Sequence, residues 1–177
     1  MYPLIRTARA LWSVRALPPL EPDGADHFAL RIWPIDIDPF LELNNGRILT
    51  LFDMGRFRVG HRTGLTPSVR RNGWGLTVAG SSVRYRRRIR LFDLVEMRTR
   101  VVGWDARFIY MEQGLWRGET CCSHALLRMA ITNSDGIVPT ADVLVAMDRA
   151  GLAAPQVPDW VAAWIAADAT RPWPPVI

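Results

Sequence analysis

Apolar residues recur at three- and four-residue spacings from Asn44 to Gly64, and they occur nearly all round the predicted helix. This distribution is typical of a helix wrapped by other structure rather than one lying on a surface. Asn44 or Asn45 is the predicted N-cap, because an asparagine oxygen accepts from backbone N–H groups that the first turn leaves unpaired. Gly64 is the predicted stop. The pattern therefore predicts one central helix.

After this helix the hydrophobic period changes from 3.6 to 2, near Trp74. Alternation then predicts four strands, near residues 75–86, 93–103, 107–117 and 120–132. A further strand is predicted before the helix at 27–34, and a loop at 66–73. The turns between the later strands are short, which implies antiparallel neighbours, since a parallel crossover needs about a dozen residues. The sequence thus predicts an α+β domain whose antiparallel sheet curls around the helix.

The two ends of the chain are predicted to be extensions of this domain. The expected division is residues 1–24, an amphipathic helix and linker; 25–138, the domain; and 139–177, helices at 141–150 and from near Asp159, followed by an irregular tail. Leu4, Ile5, Ala8, Leu11 and Trp12 share helical spacing in the first segment, in which no acidic residue precedes Glu21. Two alternatives follow: a helix docked on its own domain or a partner subunit, or a basic helix on a membrane surface.

Composition narrows the function classes. All 22 basic residues are arginine and the net charge is +5, so Schiff-base and Walker lysines are excluded and an anionic partner is favoured. Cys121 and Cys122 are adjacent, which fits neither a disulfide framework nor zinc spacing and favours a reducing cytoplasm.

Only three histidines are present, which argues against a transition-metal site; His61 and His124 have no evident partner. No apolar run approaches the length of a membrane-spanning helix, and no nucleic-acid-binding signature accompanies the charge.

The motif before the helix carries a family resemblance. Asp36-x-Asp38-x5-Asn44-Asn45-Gly-Arg-Ile-Leu-x-x-Phe-Asp53-x-Gly-Arg56 resembles the opening of hot-dog-fold acyl-CoA thioesterases of the 4-hydroxybenzoyl-CoA thioesterase-like group. Their pattern usually reads Asp-x-Asp-x-x-Gly-His-x-Asn-Asn, followed by a helix carrying Glu-x-x-Arg. Here Leu41 and Glu42 stand where Gly-His is common. Element order extends the likeness over about residues 28–137. It implies a hot-dog fold, an acyl-CoA substrate with no other cofactor, and at least a homodimer or a dimer of dimers.

The resemblance implies roles for the motif residues. Asp38 would activate water or attack the thioester, and the amides at Asn45 and Gly46 would stabilise the oxyanion. Asp53, on the helix, is the second candidate carboxylate. An alternative from the residues alone is that Asp36 and Asp38 bond turn amides, that the asparagines only cap the helix, and that Asp53 pairs with Arg56.

Substrate contacts are expected from Asn44 and three arginines, Arg86, Arg88 and Arg107. On a continuous strand Arg84, Arg86, Arg88 and Arg90 would share one face. This face would either bind the phosphates of coenzyme A or form a charged, solvated edge of the sheet. The predicted function is thioester hydrolysis. The alternatives are a non-catalytic acyl-CoA or lipid-binding protein, favoured by Glu42 and the basic first helix, and an enoyl-thioester hydratase, which usually needs a histidine that this motif lacks.

Overall fold

The computed structural model describes residues 2–175. The helices are α1 (Leu4–Ser13), α2 (Asn45–Arg62), α3 (Leu65–Arg71), α4 (Thr140–Ala146) and α5 (Asp159–Ala169). The strands are β1 (Ala25–Arg31), β2 (Gly75–Tyr85), β3 (Leu94–Trp104), β4 (Ile109–Arg117), β5 (Thr120–Asn133) and β6 (Gly136–Ile137). Short 3₁₀ turns cover Val14–Ala16 and Pro34–Asp36.

The strands form one antiparallel sheet in the order β1-β3-β4-β5-β2, with β6 paired to the end of β5. Helix α2 lies on the concave face of this sheet. Its Leu51 and Phe52 are completely buried in one core with Met97 and Leu115 of the strands. The predicted α+β hot-dog architecture, with an antiparallel sheet wrapped around one central helix, is confirmed.

Gly55 is where α2 comes closest to the sheet. A Cβ atom there would lie 2.7 Å from Gln113 Nε2 and 2.8 Å from Met97 Sδ, and closer still to the Thr99 hydroxyl. No side chain larger than hydrogen fits this contact without displacing the strands. The glycine therefore sets the depth at which the central helix sits.

Several predicted boundaries are wrong. Residues 66–73 are mostly helical, because Gly64 takes a left-handed backbone (φ 86°) that starts α3 at once, and Leu65 and Val69 bury against Ile131. The first strand is β1, Ala25–Arg31, rather than 27–34. Helix α4 ends at Ala146 rather than at residue 150, since Asp148 takes a left-handed backbone (φ 58°) that a helix cannot continue.

The first helix packs on the domain through small residues and leaves its large apolar side chains outside. Thr7 and Ala10 are buried, whereas the side chains of Leu4, Ile5 and Trp12 are 70%, 86% and 70% exposed. The Arg58 guanidinium of α2 donates to the Ala10 carbonyl (3.1 Å), which ties the two helices together. The apolar stripe predicted from the sequence therefore faces outward. No helix in the part of the chain described here is long and apolar enough to cross a bilayer.

Candidate active site

Asp36 is buried and forms ion pairs beneath the motif loop, which comprises residues 36–44 before α2. Its Oδ2 accepts from Arg6 Nη1 of α1 (2.7 Å) and from the Trp33 amide (3.0 Å), and its Oδ1 accepts from Arg47 Nε of α2 (2.7 Å). The side chain has no exposed surface. The Asn44 amide donates to the Asp36 carbonyl (2.9 Å). The first carboxylate of the motif thus fixes the loop and the start of α2 relative to each other.

Asp38 is half-buried at the base of a tight turn. Its Oδ1 accepts from the amides of Phe40 (2.9 Å) and Glu42 (3.4 Å), and its own amide donates to the Glu42 carbonyl (2.9 Å). Leu41 at the tip has φ 61°. Turn-amide bonding, the alternative noted from sequence, is therefore present for Asp38. Its second oxygen, Oδ2, accepts no hydrogen bond from the described residues.

The start of α2 has two amides that no acceptor in the described part of the chain binds. Asn44 is the N-cap, since its Oδ1 accepts from the Arg47 amide (3.0 Å). The next two residues, Asn45 and Gly46, are exposed, and within residues 2–175 their N–H groups have no acceptor. The macrodipole of an 18-residue helix adds partial positive charge at this end. Such an end is suited to binding an anion or a developing oxyanion.

A cavity of about 230 Å³ opens beside this helix end. Its lining comprises Glu42, Leu43, Asn45, Ile48, Tyr85, Arg86, Arg87, Arg88, Ile89 and Ser123. The Leu43 amide donates to the Ile89 carbonyl (2.8 Å), which holds the motif loop against the segment after β2. The structure thereby brings Asn45 together with Arg86 and Arg88. Asp38, Asn44 and Gly46 flank the lining residues without being among them.

The arginine run does not follow the predicted alternation. Strand β2 ends at Tyr85, and the amides of Arg86 and Arg87 both donate to the Cys122 carbonyl (2.8 and 3.1 Å). Arg84, Arg86, Arg88 and Arg90 therefore do not share one strand face, and that prediction is wrong. Arg88 instead pairs with Glu42 (3.2 Å). The chain turns at this point to form one wall of the cavity.

Asp53 lies two turns farther along α2 and does not line the cavity. It is paired with Arg56, as the i,i+3 spacing predicted, and Arg56 also donates to Gln113 Oε1 (2.9 Å). Burial lowers the pKa of Arg56, and burial together with the nearby Asp53 carboxylate raises the pKa of the Tyr2 hydroxyl. These contacts form a polar path between α2 and the sheet.

Arg107 is not brought to the cavity. It is exposed just before β4, and its guanidinium lies over the Phe108 ring at 5.3 Å. The cavity residue Ser123 pairs with Leu115, near the other end of β4. The length of a strand therefore separates Arg107 from the cavity within one chain.

Sequence reasoning missed the partner of His124. Its Nε2 lies 2.8 Å from Glu112 Oε1, and the other oxygen of Glu112 accepts from Arg100 Nη2 (2.6 Å). The hydrogen bond to His124 is the main cause that lowers the pKa of Glu112. This cluster lies on the convex face of the sheet. Among residues 2–175, no group of three or more His, Cys, Asp and Glu side chains is placed to hold a metal ion.

The curled sheet, the central helix and the cavity at its N-terminal end define a hot-dog-fold protein. The chain belongs to the thioesterase-like superfamily, whose family model matches residues 32–165. It is 30% identical to Protein THEM6 of Xenopus laevis over 162 residues, which is 91% of this chain and 77% of that protein.

Solved structures show the same fold. The chain resembles a probable thioesterase from Bartonella henselae (TM-score 0.59, 23% identity, 66% of this chain and 97% of that one). It also resembles a 1,4-dihydroxy-2-naphthoyl-CoA thioesterase from Synechocystis (TM-score 0.60, 9% identity, 70% and 95%). At these identities the likeness shows the fold alone.

Proposed function

We propose that this protein hydrolyses acyl-CoA thioesters at the N-terminal end of α2. The observation that carries the proposal is the two adjacent amides of Asn45 and Gly46, which have no acceptor within residues 2–175 and lie beside a cavity and next to the motif loop. Two adjacent N–H donors at a helix start are the arrangement that stabilises the oxyanion of acyl transfer. Membership of the thioesterase-like superfamily supports the same chemistry.

Asp38 is the proposed carboxylate. Its Oδ1 is fixed by turn amides, which leaves Oδ2 to remove a proton from water as the water oxygen attacks the thioester carbon. The negative charge that develops on the carbonyl oxygen is stabilised by the amides of Asn45 and Gly46. Collapse of the tetrahedral intermediate breaks the C–S bond, and the proton that Asp38 took from water passes to the departing coenzyme A sulfur, which restores the carboxylate. Direct attack by Oδ2 would instead form an acyl anhydride that water cleaves.

The remaining predicted contacts are proposed for the coenzyme A half of the substrate. Arg86 and Arg88 line the cavity, and guanidinium groups match phosphate oxygens in geometry. Asn44 flanks the same mouth. The name of the Synechocystis neighbour, a naphthoyl-CoA thioesterase, supports a coenzyme A ester as substrate class. We also propose a homodimer, because β2 is an edge strand that exposes Val78 (42%) and Tyr85 (44%). Because Arg107 is a strand length away from the cavity of its own chain, it would contact only the cavity of the second copy in such a dimer.

Thiol release from a panel of short, long and aromatic acyl-CoA esters tests the proposal. Asp38→Asn is expected to lower kcat at least about a hundredfold, while the fold persists because the asparagine oxygen still accepts from the turn amides. Asp53→Asn and Glu42→Gln, assayed in parallel, identify any contribution from the other two carboxylates. Full turnover in Asp38→Asn, or loss only in Asp53→Asn, would remove Asp38 from the mechanism.

A second candidate is a non-catalytic acyl-CoA or lipid-binding protein that associates with a membrane surface. Two observations favour it. Glu42, which stands where the resembling family commonly has histidine, is paired with Arg88, and the apolar face of α1 is exposed. Equilibrium binding of a non-hydrolysable acyl-CoA analogue, compared with turnover of the matching ester, separates the two functions. Tight binding without any turnover across the panel would favour the binding protein.

A further inference from the structure

The convex face of the sheet is only partly covered. Helix α5 packs Val161 onto Val102, Tyr110 and Leu126 at one end of this face. Beside that contact a second cavity, of about 420 Å³, lies on the opposite side of the sheet from the cavity at α2. Its lining is Ser82, Arg84, Glu112, His124, Trp160 and Trp164. The volume falls in the range of small-molecule sites.

Two indoles and an imidazole supply flat walls. Trp160 and Trp164 extend from α5 over the cavity, and the Trp160 side chain is 44% exposed. The His124 ring meets the Trp160 ring edge-on at 5.6 Å and 64°. His124 is itself held in place by Glu112. Exposed aromatic faces in a concavity favour a planar ring as occupant, since offset stacking adds to the burial of apolar area.

The charge balance in this cavity favours an anion. Its acid, Glu112, already accepts from Arg100 Nε (2.8 Å) and Nη2 (2.6 Å) and is bonded to His124. Arg84, by contrast, is exposed and has no carboxylate partner among the described residues. The cavity thus has, next to its aromatic walls, a guanidinium that no carboxylate of residues 2–175 neutralises. Arginine's planar fork both stacks on rings and binds carboxylate or phosphate oxygens.

We propose that this convex-face cavity is a second binding site, for a planar aromatic ring that carries an anionic group. The ring stacks on Trp160, and the carboxylate or phosphate pairs with Arg84. Arg84 and Tyr85 are consecutive on β2, so the two cavities lie on opposite faces of the same strand end. Two sources have the required chemistry: a free aromatic acid, or the adenine nucleotide of a coenzyme A ester. Only the second source rests on the proposed function.

Titration calorimetry on the full chain tests the site with two probes, 2-naphthoate and adenosine 3′,5′-bisphosphate. At least one probe is expected to bind with one site per chain, and Trp160→Ala and Arg84→Gln should each weaken it at least fivefold. Trp160→Phe should retain most of the affinity, because it keeps an aromatic face. Matched controls are Trp12→Ala and Arg9→Gln, which remove an exposed indole and an exposed guanidinium from α1.

The pattern of probe binding identifies the occupant of the convex-face cavity or overturns the proposal. Binding of the naphthoate alone identifies a free aromatic acid, and binding of the bisphosphate alone identifies the nucleotide, in which case Trp160→Ala should also raise the KM for acyl-CoA without changing kcat. Absence of binding by both probes overturns the proposal. So does binding that survives both Arg84→Gln and Trp160→Ala, since the probe would then occupy another site. Both probes are bound in the absence of a thioester, so the calorimetric result does not depend on whether the protein is a thioesterase.

Discussion

Arg47 donates from Nε to the Asp36 carboxylate at 2.7 Å, and this carboxylate is completely buried. Arg6 of α1 binds its other oxygen at the same distance. One side chain therefore connects α1, the motif loop and the first turn of α2. Asp36→Ala would leave two largely buried guanidinium groups without this partner, so we expect the free energy of unfolding to fall by about 3–5 kcal/mol. Urea denaturation followed by circular dichroism measures the change.

Arg6→Ala is the matched control for the Asp36 ion pairs. The Arg6 side chain is 21% exposed, and its removal leaves Asp36 bonded to Arg47 and to the Trp33 amide. We expect a clearly smaller loss than for Asp36→Ala. If the two variants lose equal stability, or if neither loses more than about 1 kcal/mol, the pairing is no stronger than an exposed ion pair.

Gly55→Ala should destabilise the fold through overpacking. The added methyl group meets Gln113 and Met97 at 2.7 and 2.8 Å, besides the Thr99 hydroxyl, so either α2 or the sheet must move. We expect a loss of about 1–3 kcal/mol or more in the free energy of unfolding. Gly46→Ala is the control in the same helix: its nearest contact is Asn44 Oδ1 at 3.3 Å, and alanine favours helix. Equal melting temperatures for the two variants would contradict the close contact.

The large features could be predicted because they depend on local periodicity. The central helix from Asn45, the antiparallel strands and the Asp53–Arg56 pair all follow from spacing that one segment carries by itself. Helix α3 could not be predicted in the same way. It contains Pro67 and is followed directly by Asn72-Gly73, and such residues usually mark loops. The burial of Leu65 and Val69 against Ile131 stabilises it instead.

The His124 pair was missed because of a bulge. Next to the β4–β5 turn, Trp116 pairs with Cys121. If this register continued along both strands, His124 would pair with Gln113 and lie on the same face of the sheet as Gln113. The register instead shifts by one residue at Cys122, so that His124 pairs with Gly114 and shares a face with Glu112. A one-residue shift exchanges the two faces of a strand. The same extra residue supplies the carbonyl that accepts from Arg86 and Arg87, which explains why the arginine run is not a strand.

The Glu112–His124 contact should make the free energy of unfolding depend on pH in the acidic range. The hydrogen bond from His124 keeps the pKa of Glu112 below its ordinary 4.5 in the folded chain. A depressed carboxyl pKa stabilises the fold above the unfolded value, and this contribution is lost as the pH falls through the folded value. The difference in unfolding free energy between wild type and Glu112→Gln should therefore be largest near pH 6–7 and shrink below about pH 4.5.

Glu119→Gln serves as the control for this pH dependence, because Glu119 is exposed on the β4–β5 turn and forms no ion pair within the described chain. Denaturation of the three proteins at pH 3.5, 5 and 7 provides the comparison. A Glu112→Gln difference that stays constant over this range would mean that the carboxylate contributes no charge-dependent stability.

The outward face of α1 should bind anionic membrane surfaces. Leu4, Ile5 and Trp12 are mostly exposed, the Arg15 guanidinium lies 4.7 Å from the Trp12 ring, and no acidic residue precedes Glu21. Apolar side chains flanked only by arginine are typical of helices that lie in a lipid interface. The wild type should sediment with vesicles that contain phosphatidylserine. Ile5→Ser combined with Trp12→Ser should reduce the bound fraction at least fivefold. Trp173→Ser removes an even more exposed indole from the tail and should change nothing. If the double variant sediments like the wild type, α1 does not mediate the contact, and its exposed face must be explained by a protein partner.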